Sequence, residues 1–270
     1  MESGKNAPRK ASDCRPAEEN TIPTERDRSV FKAVEGSLRV SGDKVFYTLQ
    51  GEGVSMGTPA SFLRLHNCNL KCSWCDAWYT WNTDTPEFWT ESVLWTIEET
   101  RRNIEESWGC ENPVIPRRIV VTGGEPLMQQ QGIEGLLKTM EDWVPEIETN
   151  GTIMPAEYLL DRCQFNCSPK LGNSGNHLRR RIKSDVLKIL NEHNATFKFV
   201  VQDEDDVEEV ETDFVQPLSL DPNKVILMPE GVTMEEVAHN ARKIVEAAKL
   251  KGYRLLNRLQ CDIWGSQRAV

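Results

Sequence analysis

Three cysteines fall within one short segment, Cys68-Asn-Leu-Lys-Cys72-Ser-Trp-Cys75, in the pattern C-x3-C-x2-C. Thiolates are soft ligands that suit iron–sulfur clusters, zinc or copper(I). Structural zinc takes four ligands and no matching fourth lies close by, so zinc would have to recruit His66, Cys163 or Cys167. A 4Fe–4S cluster has one more iron than this segment has cysteines, which leaves an iron open to a substrate or cofactor. A tight three-cysteine loop therefore reads as a reactive cluster rather than a purely electron-carrying one.

Further chemistry-bearing residues stand at turns and strand ends. They are Gln50-Gly51-Glu52-Gly53, Thr122-Gly123-Gly124-Glu125-Pro126, Glu148, Ser168-Pro169-Lys170, and Arg64 within S-F-L-R-L (61–65). Several have an ordinary reading beside the functional one. The first is also a solvated turn, Ser168 and Lys170 also a Ser-Pro turn with a solvated lysine, and Trp74 also a core aromatic. In an alternating strand Arg64 lies on the face opposite Leu63 and Leu65, where it could simply meet solvent.

Bringing such residues together takes strand ends, and the sequence predicts them. Strands are expected at Val45–Leu49, Ser61–Leu65, Ile119–Thr122, Glu146–Thr149, Arg162–Cys167, Thr196–Val201 and Val225–Met228, with one more within 253–264. Helices are expected at 91–108, 130–141, 182–192 and 233–251, the last with Thr233 as N-cap, Glu236 as its capping-box partner and Gly252 beyond its end. Alternating strands and helices predict an α/β fold with a mainly parallel sheet. About six strand–helix steps fall short of a full eightfold barrel, so a partial, open barrel is expected, with chemistry at the C-terminal strand ends. Residues 1–28 carry six basic and six acidic side chains and three prolines, and are expected to be a disordered tail before one domain, 29–270.

Composition narrows the function classes. The chain has 270 residues, 39% hydrophobic and 27% charged, with a net charge of −10. A global positive field that would hold nucleic acid is absent. No apolar run approaches the ~20 residues of a membrane helix, and the first ten residues hold no apolar h-region of a secretory signal. A cytoplasmic location is expected, and there clustered cysteines point to metal or catalysis rather than disulfides. Cys163 and Cys167 read as strand cysteines, and Cys14 and Cys261 have no evident role. The basic run Arg179–Arg181 and the acidic run Asp203–Asp213 are expected on solvated faces, with a pairing between them open.

The cysteine pattern, with an aromatic before its last member, and the later G-G-E-P resemble the radical S-adenosylmethionine (SAM) superfamily. A finer resemblance, over residues ~45–270, is to the 7-carboxy-7-deazaguanine synthase family. It rests on F-Y-T-L-Q-G-E-G (46–53), F-L-R-L-H-N-C-N-L-K-C-S-W-C-D (62–76), Y-T-W (79–81), V-T-G-G-E-P-L (121–127), E-T-N-G-T (148–152), C-S-P-K (167–170), F-K-F-V-V (197–201), M-P-E-G (228–231) and D-I-W-G (262–265).

The resemblance implies that Cys68, Cys72 and Cys75 ligate a 4Fe–4S cluster. It implies that Gly124, Glu125, Ser168 and Lys170 contact SAM, and that Trp74 and Asp76 shape the cofactor site. Gln50, Gly51 and Glu52 resemble the substrate-binding turn, where an amide and a carboxylate can read the donors and acceptor of a pterin edge. Arg64 resembles the partner of the substrate carboxylate, which its planar fork suits. Thr122 and Glu148 are further substrate-site candidates. Mg²⁺ is also implied, through a hydroxyl residue after Cys-Asp, but Ala77 stands there and offers no oxygen, which leaves substrate and water as the ligands open to the ion; Gln260 stands where histidine is expected.

The implied reaction is ring contraction of 6-carboxy-5,6,7,8-tetrahydropterin to 7-carboxy-7-deazaguanine with loss of ammonia, in queuosine-type 7-deazapurine biosynthesis. SAM would be cleaved reductively at the cluster and regenerated, with an external electron donor and a homodimer. The pterin is the expected partner, and direct contact with nucleic acid or membrane is not expected. Two other readings stand beside it: another short radical SAM enzyme such as a glycyl-radical activase, and a non-enzymatic, metal-stabilised binding module.

Overall fold

The computed structural model describes residues 27–42, 44–193, 195–265, 267 and 268. Ten strands form one sheet: β1 (Ser37–Ser41), β2 (Phe46–Leu49), β3 (Pro59–Leu65), β4 (Ser92–Thr96), β5 (Arg118–Gly123), β6 (Val144–Thr149), β7 (Gln164–Cys167), β8 (Thr196–Val201), β9 (Val225–Pro229) and β10 (Arg254–Leu255). Along the path β3-β5-β6-β7-β8-β9-β10 every pair is parallel, and helices cross between most neighbours. β2 and β1 pair antiparallel with the other edge of β3, and β4 extends β1. The sheet runs from β10 to β4 without closing, as a partial barrel.

A period of two sorts the parallel strands. Leu63 and Leu65, Ile119 and Val121, Ile147, Phe165 and Cys167, Phe197 and Phe199, and Val225 and Leu227 join the main core under the helices. The residues between them face the concave side: Arg64, Thr122, Glu148, Lys198 and Met228 line one cavity there. Arg64 thus points away from Leu63 and Leu65 as the alternation requires, but into the cavity rather than into bulk solvent. Cys163 and Cys167 are both buried, but only Cys167, the last residue of β7, is a strand cysteine; Cys163 caps the helix Glu157–Arg162 and precedes the strand.

Three expected elements differ. The helix at 91–108 is split. Val93, Leu94, Trp95 and Thr96 extend beside β1 as β4, and the helix Ile97–Ser107 begins only after a capping box at Thr96 and Glu99. β-branched and aromatic side chains facing a free strand edge outweigh helical periodicity there. The expected strand at Arg162–Cys167 loses its start, because Arg162 closes the helix Glu157–Arg162. Within 253–264 only Arg254 and Leu255 pair with β9, and the chain then turns into the helix Leu259–Trp264. At 233–251, Thr233 accepts from Glu236 N as expected, but the Glu236 carboxylate accepts from Val232 N rather than from Thr233.

Of the expected tail, residues 1–26 lie outside the described residues. Asp27 and Arg28 belong to the ordered chain: Asp27 caps the turn Arg28–Phe31, and Val30 is buried. The basic and acidic runs meet within the chain. Arg181 is buried, pairs with Glu209 at 2.7 Å and donates to Lys170 O at 2.9 Å, so that part of the runs is not solvated.

Candidate active site

The cysteine loop leaves the C-terminal end of β3 and is held by the loops after β5, β6 and β7. Gly124 N donates to Leu65 O at 3.0 Å and Glu125 N to Asn67 O at 2.9 Å. Two glycines are needed for this approach, because a Cβ at Gly123 would lie 2.1 Å from Leu65 O and one at Gly124 2.0 Å from Asn67 O. From the loop after β6, Asn150 Nδ2 donates to Asn69 Oδ1 at 2.9 Å. From the loop after β7, Ser174 O accepts from Ser73 N at 3.0 Å, and Asn176 Oδ1 accepts from Lys71 N at 3.0 Å.

All three thiols line the cavity, whose volume is about 920 Å³. Burial raises each of them, Cys68 to about 12, so bare thiolates here require an electropositive partner. Donors already aim at two sulfurs: Asn176 Nδ2 lies 3.3 Å from Cys72 Sγ and Asn150 Nδ2 4.0 Å from Cys68 Sγ. Among the described residues no three His, Cys, Asp or Glu groups are placed to hold a single metal ion. His66 contacts Ser41 and Phe88, and does not line the cavity, so the zinc recruit nearest in sequence points elsewhere. Soft thiolates with N–H donors on the sulfurs fit an iron–sulfur cluster.

The residues expected to hold SAM divide. Gly124, Ser168, Lys170, Trp74 and Asp76 line the cavity. Lys170 Nζ donates to Ser168 Oγ at 2.9 Å and stands 5.4 Å from the Trp74 ring, whose Nε1 donates to Asn173 Oδ1 at 3.1 Å. The Glu125 side chain instead lies behind the loop, fully buried. Its carboxylate accepts from Leu127 N, Thr149 Oγ1 and Asn150 N at 3.0, 2.8 and 2.7 Å. Burial raises its pKa against those hydrogen bonds. Glu125 therefore ties the ends of β5 and β6 together and leaves Gly124 facing the cavity.

The candidate substrate residues meet across the cavity mouth. Gln50 Nε2 donates to Glu146 Oε1 at 2.8 Å and Glu148 Oε1 at 3.1 Å, and Thr122 Oγ1 donates to Glu148 Oε2 at 2.5 Å. Glu52 is gripped by Lys198, by Arg258 Nε at 3.0 Å and by Gln260 Nε2 at 2.6 Å. Burial alone would raise the Glu52 pKa, but Lys198 and Arg258 hold it well below the carboxylate range. Burial opposes the charge of Lys198, yet Glu52 and Glu148 keep its pKa raised. Gly51 has no side chain because the C-terminal helix docks there: Leu259 N donates to Gly51 O at 3.0 Å, and a Cβ would lie 1.8 Å from Gln260 Oε1. Arg64 sits 5.5 Å from the Phe46 ring and 6.0 Å from the Tyr79 ring, and its guanidinium has no ion-pair partner among the described residues.

Comparison with known proteins adds ancestry to this geometry. A family described as a 4Fe-4S single cluster domain matches residues 49–159. A 7-carboxy-7-deazaguanine synthase of Pyrobaculum aerophilum is 35% identical over 235 residues, covering 85% of this chain and 97% of the relative. The chain belongs to the 7-carboxy-7-deazaguanine synthase family. A synthase of Rhodopirellula baltica is 30% identical over 255 residues, covering 88% of this chain and 91% of its own. The fold is similar to the crystal structure of QueE from Escherichia coli, with TM-score 0.61 and 24% identity, over 82% of this chain and 94% of that one.

Within this member of the synthase family, the cavity gathers every residue expected to meet the cluster, SAM or the substrate except the Glu125 side chain. Sequence reasoning missed Lys198, Arg258 and Glu146. Lys198 carried a signal, as a lysine inside the buried run Thr196–Val201, where a charge needs a partner. Glu146 is fully buried beneath the site and also bonds Ser55, Asn166 and Arg118. Arg258 carried no local signal at all.

Proposed function

We propose that this chain is the radical SAM lyase that contracts 6-carboxy-5,6,7,8-tetrahydropterin to 7-carboxy-7-deazaguanine and releases ammonia, in 7-deazapurine biosynthesis. The observation that carries this reading is one cavity joining the three-cysteine loop to Arg64 and the Glu52–Glu148 rim. When bound, the iron–sulfur cluster and SAM supply the reducing electron and the adenosyl radical that takes a hydrogen atom from the substrate. The chain's own residues bind and place. Cys68, Cys72 and Cys75 hold the cluster, while Gly124, Ser168, Lys170, Trp74 and Asp76 form the SAM side of the cavity. Arg64 offers its fork to the substrate carboxylate. Glu52 and Glu148 keep acceptor capacity beyond their internal partners for the N–H edge of the pterin, and Gln50 fixes Glu148 in place.

A homodimer and an external electron donor belong to this reading and rest on family resemblance, and a cytoplasmic location belongs to it from composition. A single domain, reaching back at least to Asp27 rather than starting at residue 29, belongs to it too, and the continuous sheet supports it. The test is an anaerobic assay of the reconstituted chain with SAM, reductant and 6-carboxytetrahydropterin, read by mass spectrometry. Carboxydeazaguanine is expected from the wild type and absent from Cys72→Ala. A fully loaded cluster that yields 5′-deoxyadenosine but no such product would sink the substrate assignment.

A further inference from the structure

One side chain connects the substrate-reading turn to the cysteine loop. Arg258 Nε donates to Glu52 Oε1 at 3.0 Å, Nη1 to Gly231 O at 2.6 Å, and Nη2 to Asp76 Oδ2. The Arg258 and Glu52 side chains are each 12% exposed, so the pair is shielded from bulk water. Asp76 directly follows Cys75, and Glu52 belongs to the turn on the opposite rim. A planar fork with five donors can hold two carboxylates and a carbonyl at once, which an ammonium cannot do with the same geometry.

This is also where a divalent cation would be expected. Mg²⁺ demands near-octahedral oxygen ligands. Ala77 presents only a methyl group to the cavity, and of the Asp76 carboxylate Oδ2 is already paired with Arg258. Among the described residues no three His, Cys, Asp or Glu side chains are placed to hold a metal ion. The residues present do not fit a Mg²⁺ held by this protein.

We propose that Arg258 takes the place of the divalent cation in this chain. It is a positioning residue whose fixed charge locks Glu52 to Asp76, so that turnover is independent of Mg²⁺. The proposal rests on the lyase reading for what is turned over, but the metal-binding part stands apart from it. Gln260 and Gly51 support the same lock, because the docked helix that carries Gln260 begins right after Arg258.

The test uses the full-length chain with its cluster loaded, treated with chelator. Mn²⁺ serves as a paramagnetic stand-in for Mg²⁺, titrated with SAM and pterin present and read by electron paramagnetic resonance. No saturable Mn²⁺ binding is expected for the wild type, and its turnover is unchanged by chelator or by millimolar Mg²⁺. Arg258→Gln lowers kcat/KM by roughly 10²-fold at unchanged iron content, as expected when a reacting geometry slips by about an ångström. Arg258→Lys recovers part of the loss, because it keeps the charge but not the fork. Stoichiometric Mn²⁺ binding by the wild type, chelator-sensitive turnover, or an unchanged kcat/KM in Arg258→Gln overturns the proposal. If the variant does not fold, the wild-type titration and chelator arms still decide. If no product forms at all, the lyase reading fails while the Mn²⁺ titration still reads the site.

Discussion

A single methyl group at position 124 would lie 2.0 Å from Asn67 O and 3.1 Å from Cys68 Cβ. Neither neighbour is a flexible side-chain end, so Gly124→Ala must displace the cysteine loop. Iron content after anaerobic reconstitution is expected to fall well below that of the wild type, as a colorimetric iron assay would show. Arg64 makes a different kind of contribution. It makes no ion pair among the described residues, so Arg64→Lys should leave cluster loading intact and raise KM for the pterin about tenfold, the value of one lost charged hydrogen bond. His66, fully buried beside the loop, supplies a pH signature. Burial, with Arg39 nearby, lowers its pKa to about 4. In the unfolded chain it titrates near ~6.5. Between those values the unfolded state binds the extra proton, so stability falls as pH drops from about 6.5 towards 4. The loss is at most about 3 kcal/mol. Thermal unfolding across that window should be less pH-dependent in His66→Phe than in the wild type; equal slopes would remove His66 as the cause.

At the scale of elements, the start of the helix Ile97–Ser107 shows how a cap decides a boundary. Thr96 Oγ1 accepts from Glu99 N at 3.2 Å, while Glu99 Oε2 accepts from Thr96 N at 2.8 Å. Thr96→Ala is expected to cost about 1 kcal/mol, measured by denaturant unfolding with an unchanged slope. The capping box was visible in principle as T-I-E-E, yet the sequence reading ran the helix through it from residue 91. What it lacked was β1, whose Ser37–Ser41 pair residue for residue with Ser92–Thr96. The C-terminal segment misled for a related reason. Leu259–Trp264 is a helix because Gly51 gives it a place to dock, a contact more than two hundred residues away in sequence.

For the whole molecule, two residues assigned to the tail by composition, Asp27 and Arg28, form part of a capped turn. Asn67 Nδ2 donates to Val30 O at 2.8 Å, next to Cys68. Deleting residues 1–26 is therefore expected to leave iron loading and turnover unchanged, whereas deletion through Lys32 should lower both. Equal behaviour of the two truncations would show that Val30 does not support the cysteine loop. The partial barrel also explains why the site is a shared property of many strands. Its concave face carries alternate residues of β3, β5, β6 and β8, so Arg64, Thr122, Glu148 and Lys198 converge although each is isolated in sequence.

The local chemistry was legible from sequence alone. The C-x3-C-x2-C spacing, the paired glycines before Glu125 and the alternation around Arg64 are short-range patterns whose physical meaning does not depend on distant partners. Most parallel strands were legible too, because buried β-branched runs between turns mark them. Only the tertiary structure decided which polar groups meet. It turned Glu125 inward onto β6, buried Arg181 against Glu209, and brought Arg258 to both Glu52 and Asp76. Buried charges must find partners wherever the chain folds back, and those partners are set by long-range packing rather than by neighbours in sequence.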